Sequence, residues 1–122
     1  DPPEQDVAEI VGSASSLVGR LAVALVVVVV APLIEELLFR GVILSRLRRG
    51  FGPAASIAVS AALFSVFHLI DPDTRFLVPG LFVIGVVLGI QALRTDRIGL
   101  AITTHAGVNL LAVVGLFLDV GV

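Results

Sequence analysis

The chain contains no cysteine. Disulfides, thiolate metal sites and a cysteine nucleophile are excluded together, and His, Glu, Asp, Ser and Thr are left to carry any chemistry. Lysine is missing as well, because all eight basic residues are arginine. No run of them is long enough to follow a nucleic-acid backbone, and at a net charge of -2 nucleic acid is not an expected partner. Methionine is also absent. Asp1 is therefore not an ordinary translation start, and the chain is expected to be a fragment of a longer membrane protein with upstream helices outside it. The opening DPPEQDVAEI is acidic where a cleavable signal would be basic. Charge of either sign is scarce, at 15% of 122 residues.

Aliphatic side chains fill the space that charge vacates. The composition is 57% hydrophobic with a mean hydropathy of +1.11, well above that of a soluble domain. Each bilayer crossing consumes about 20 apolar residues, so four or five crossings fit and no separate soluble catalytic domain does. Residues 1–16, acidic and then small and polar, read as an exposed linker, and residues 17–122 as a transmembrane core. Leu17 to Leu47 is apolar for longer than one crossing and is interrupted by Pro32, Glu35, Glu36 and Arg40. It predicts one long tilted helix or two pieces meeting at a kink. Phe51–Ile70, Phe76–Leu93 and Ile98–Leu118 complete four spans. The run Val26 to Val30 is β-branched, but nothing alternates polar with apolar over these lengths, which excludes a transmembrane barrel. The expected fold is an all-α polytopic helix bundle. Gly85 and Gly89 form a G-x-x-x-G pair that suits close helix packing.

Arg46, Arg48 and Arg49 crowd one turn and Arg94 and Arg97 flank another, whereas the N-terminus, the Asp71 to Arg75 turn and Asp119 are net acidic. The positive-inside rule makes turns 46–49 and 94–97 cytoplasmic. An Arg-only, Ala/Val-rich chain points to the cell membrane of a GC-rich prokaryote.

Ionisable and strongly polar groups inside a membrane are costly and mark function by default. They are Glu35, Glu36, Arg40, His68, His105 and Asn109. Glu36 and Arg40 lie four apart on one helix face and can pair internally, while Glu35 points away by about 100°. Phe64 with His68, and His105 with Asn109, each share a face one turn apart. Glu35 lies roughly 22 Å of helix from Gly50 and His68 roughly 27 Å, so a hairpin brings them near one level. His105 sits only roughly 10 Å above the turn that starts its helix, and tilt must close that gap. If Glu35, His68 and His105 converge, a carboxylate and an imidazole can activate one water, with His105 and Asn109 supporting an oxyanion. The same Glu35, His68 and His105 equally suit an open zinc site. Both mechanisms stay open on the residues alone. So does a proton-coupled transporter, although its continuous polar path to both faces is not seen, or a catalytically silent scaffold or immunity protein.

Glu35-Glu36-Leu37-Leu38-Phe39-Arg40, Phe64-Ser65-Val66-Phe67-His68 and His105-Ala106-Gly107-Val108-Asn109 follow one another as E-E-x-x-x-R, F-x-x-x-H and H-x-x-x-N on successive apolar spans. In this the chain resembles the CAAX prenyl protease and bacteriocin-processing (CPBP, or Abi) family of intramembrane proteases, over roughly residues 20 to 118. The resemblance implies a hydrolase that cuts a peptide bond in or beside the membrane, acting on a prenylated protein or on a membrane-associated peptide in maturation or immunity. It implies Glu35 and His68 as the water-activating pair, His105 and Asn109 at the oxyanion, and Glu36, Arg40 and Phe64 in support. Members have been labelled metalloendopeptidases, but a metal-free glutamate mechanism has been argued for them, and it is the one expected here. The motifs of other intramembrane proteases, H-E-x-x-H, G-x-S-G and G-x-G-D, are absent.

Overall fold

The computed structural model describes residues 16–70 and 72–117. The linker expected over 1–16 and the acidic positions Asp71 and Asp119 therefore lie outside the described residues, apart from Ser16, whose Oγ accepts from the Gly19 amide at 3.0 Å and caps the first helix. Among the described residues there is no strand, and four helices make up the all-α fold: α1 Leu17–Leu47, α2 Pro53–Phe67, α3 Val78–Thr95 and α4 Gly99–Phe117. Pro53 opens α2 in its first turn, where its missing N–H would have no partner anyway. Short 3-10 turns, His68–Ile70 and Pro72–Leu77, carry the chain from α2 to α3. Asp96, at a left-handed φ of 52°, ends α3 and turns the chain into α4.

Polarity runs opposite to that of a soluble domain. Leu17, Phe76 and Leu111 are 72%, 78% and 74% exposed. Glu36, Arg40, Ser56, Ser60 and His105 are buried. Apolar side chains outside and hydrogen-bonded polar ones inside fit a surrounding of hydrocarbon. Leu17–Leu47 and Arg75–Thr95 are long and apolar enough to cross a membrane, and Pro53–Phe67 and Gly99–Gly115 are shorter apolar helices.

Pro32 neither breaks α1 nor divides it. The helix stays continuous by opening to π pitch at Val26–Val30 and again at Leu37–Leu44, with a regular turn, Ala31–Glu36, between. Proline has no N–H to give to the ladder, and the pitch changes just before it rather than the helix ending there. The β-branched valine run is thus helical, as the lack of alternation required. α1 also crosses the bundle obliquely: residues 26–36 lie against α4, and residues 37–44 against α2 and α3.

α2 and α3 pack most extensively, and the glycine pair explains how. A Cβ at Gly85 would stand 3.0 Å from Ala61 Cα, and one at Gly89 would stand 3.2 Å from Ile57 Cγ2. Close backbone approach substitutes for the hydrophobic drive that lipid does not provide. Gly85→Ala is expected to lower stability by about 1–3 kcal/mol through overpacking. Gly80→Ala, where a Cβ would meet nothing within 4 Å, is expected to be silent. Thermal unfolding in detergent, run on both variants, checks the contrast.

Candidate active site

Three helices bring the candidate residues to one place. Glu35 comes from the regular turn of α1, His68 from the 3-10 turn that ends α2, and His105 from the second turn of α4. Glu35 Oε2 stands 3.8 Å from His68 Nε2 and 3.8 Å from His105 Nε2. The oblique path of α1 closes the difference in level that helix lengths alone leave, since α4 meets α1 around the very turn that bears Glu35 and Glu36. Glu35 and His68 are partly accessible, at 19% and 26% of their side chains, whereas His105 is at 5%. One edge of the site is open and the other is sealed.

Both imidazoles are oriented through Nδ1. His68 Nδ1 lies 2.8 Å from the Phe64 carbonyl oxygen, which only accepts, so Nδ1 carries the proton. His105 Nδ1 lies 3.0 Å from Glu36 Oε1 and donates to that carboxylate. The Nε2 atoms of both rings are thereby directed toward Glu35, by the same outer-shell logic that orients metal-bound and triad histidines.

Glu36 and Arg40 hold this arrangement from beneath. Arg40 Nη1 donates to Glu36 Oε1 at 2.8 Å, and both side chains are fully buried. Arg40 Nη2 donates to the Gly85 carbonyl at 2.9 Å, which anchors α1 to α3. The guanidinium carbon lies 4.7 Å from the Phe64 ring centroid. Phe64 is itself fully buried and meets His68 and His105 edge-on, with centroids 4.8 Å and 5.5 Å away. One ring therefore packs against the cation and both imidazoles.

Asn109, expected beside His105 at the oxyanion, gives its Nδ2 to the Val27 carbonyl of α1 at 2.8 Å. Ser65, three before His68, donates to the Ala62 carbonyl at 3.0 Å and so serves its own helix. Two partners escaped the sequence reading. Ser60 Oγ donates to the Phe39 carbonyl at 3.1 Å across α1 and α2, inside the second π segment, and the Gly85 carbonyl receives Arg40. The signal for the second was the glycine pair, which announces close approach but not which backbone atom is used. The side chains that would hold a zinc ion are Glu35, His68 and His105, but among the described residues no group of three or more His, Cys, Asp or Glu side chains is arranged to hold a metal ion.

Fold and site together define a membrane helix bundle with a carboxylate- and imidazole-lined centre reached from one edge. The family of type II CAAX prenyl endopeptidases described as Rce1-like matches residues 17–111, and the chain belongs to it. The family inferred from the three motifs is the one shown, and its members are endopeptidases of the type II CAAX prenyl class. No curated protein and no solved structure matches the chain.

Proposed function

We propose that this protein is an intramembrane endopeptidase that hydrolyses a peptide bond with a water activated by Glu35 and His68, without a metal. The observation that carries the reading is the 3.8 Å approach of Glu35 Oε2 to the Nε2 atoms of both His68 and His105. That separation exceeds a direct hydrogen bond and suits groups that share a small oxygen species. Glu35 takes a proton from the water as its oxygen attacks the scissile carbonyl, while His68 Nε2 accepts the second hydrogen and orients the nucleophile. The carbonyl oxygen becomes an oxyanion, which His105 supports from Nε2 in its doubly protonated form, with Nδ1–H held by Glu36. Collapse breaks the C–N bond, and Glu35 returns its proton to the leaving amine. Glu36, Arg40 and Phe64 touch none of the reacting atoms and act by holding the rings in place.

The substrate class supported by family membership is a prenylated CAAX-type protein at the membrane surface, with a membrane-associated peptide as the other candidate. The turns at Arg46–Arg49 and Arg94–Arg97 face the cytoplasm of a prokaryotic cell in this reading. The test is the protein in vesicles with a farnesylated CAAX peptide and an unmodified transmembrane peptide, products being read by mass spectrometry. Release of a C-terminal fragment at a rate unchanged by excess chelator is expected. Turnover lost in chelator and restored by zinc would overturn the metal-free step. Failure to cut either peptide would overturn the endopeptidase itself.

A further inference from the structure

We infer that Asn109 is a positioning residue: it closes the backbone carbonyl that Pro32 leaves open in α1, and His105 owes its place in the site to that bond. Within the first π segment the Ala31 amide donates to the Val26 carbonyl, five residues back. The next rung of that ladder would run from residue 32 to the Val27 carbonyl. Residue 32 is proline, which has no N–H to give. The regular α rung to Val27 would come from Ala31, whose N–H is already spent on Val26. Val27 is thus left with an open acceptor at membrane depth, where no bulk water is present to fill it. Asn109 Nδ2 fills it at 2.8 Å.

The bond spans α1 and α4, elements far apart in sequence, and lies one helical turn from His105. Together with His105 Nδ1 on Glu36 Oε1 at 3.0 Å it makes a two-point attachment of α4 to α1. Two points fix both the rotation and the height of α4, and with them the level of His105 relative to Glu35. A proline in α1 and an asparagine in α4 are therefore one device. Their effect on turnover rests on the protease reading above, whereas their effect on helix position does not.

The two residues are tested as a pair. Pro32→Ala restores an amide N–H beneath Val27 and makes the asparagine redundant. Asn109→Ala is expected to slow cleavage of the farnesylated peptide by about 10²-fold in the parent protein, the scale of an ångström-sized misplacement. The same change is expected to cost only a few-fold when made on top of Pro32→Ala. Helix position is read separately. The chain has no cysteine of its own, so nitroxides attached to cysteines at the exposed positions Leu21 and Leu111 report the α1 to α4 distance. That distance is expected to lengthen in Asn109→Ala and to return in the double variant. Equal losses of cleavage in both backgrounds, with distances unmoved, would overturn the inference and assign the amide to the reacting atoms. Distances that shift and return while no variant, nor the parent, cleaves would support the positioning bond and sink the protease reading. Where Pro32→Ala does not fold, Asn109→Leu serves: it is close in size, has no donor in either protonation state of its neighbours, and must move α4 if the bond matters. An unmoved distance there overturns the inference equally.

Discussion

Glu35→Gln is expected to reduce cleavage by about 10²–10⁴-fold, the range for losing a positioned general base, while the protein unfolds at the temperature of the parent. The substitution keeps the shape of the side chain and removes only its capacity to take a proton. The short buried bonds that tie the helices together, the ion pair with Arg40 at 2.8 Å and the tether on His105 Nδ1 at 3.0 Å, belong to Glu36, whereas Glu35 meets both imidazoles only at 3.8 Å. A purely structural role for Glu35 predicts the reverse pattern, with altered stability and preserved turnover. Initial rates on the farnesylated peptide, measured beside thermal unfolding of the same preparation, separate the two. Parental turnover in a folded Glu35→Gln protein would remove Glu35 from the chemistry.

Arg40→Ala is expected to cost about 3–5 kcal/mol of stability, the range for leaving one member of a buried ion pair uncompensated. Three contacts go at once: the Glu36 carboxylate at 2.8 Å, the Gly85 carbonyl at 2.9 Å and the face of Phe64. Arg40→Lys is not conservative here, because a single ammonium has no planar fork to serve Glu36 and Gly85 together. Glu36→Gln combined with Arg40→Met removes both charges and keeps the volume. The double variant should regain much of the stability that Arg40→Ala loses. It should stay slow, because a neutral amide holds His105 Nδ1–H less firmly than a carboxylate does. Thermal unfolding and turnover are therefore expected to part company in this variant. A double variant as active as the parent would show that Glu36 has no bearing on His105.

Much of the fold was readable because hydrocarbon imposes a simple rule on length and polarity. The span expected over Phe51–Ile70 is helix Pro53–Phe67 plus the 3-10 turn to Ile70, and those over Phe76–Leu93 and Ile98–Leu118 are Val78–Thr95 and Gly99–Phe117. The meeting of Glu35 with His68 followed from counting residues to a shared turn. The level of His105 did not, because it depends on the slope of α1, which residues on three other helices decide. The Glu36–Arg40 pair is local, four residues apart, and periodicity finds it. Arg40 on Gly85 and Asn109 on Val27 are bonds to backbone oxygens distant in sequence, and no side-chain pattern encodes an exposed carbonyl. Pro32 was the available hint, for a proline inside a continuous apolar run must leave an acceptor somewhere.

The two π segments of α1 have a consequence for how its surface is inherited. Each wide turn accommodates an additional residue without ending the helix, so the stretch before Val26 and the stretch after Leu44 are rotated out of step with a helix of constant pitch. A heptad or 3.6-residue template laid along Leu17–Leu47 loses its phase twice, and faces assigned by it at one end point the wrong way at the other. A related chain shorter by one residue within the five valines would therefore keep its Glu-Glu turn intact and differ only in the azimuth of everything upstream.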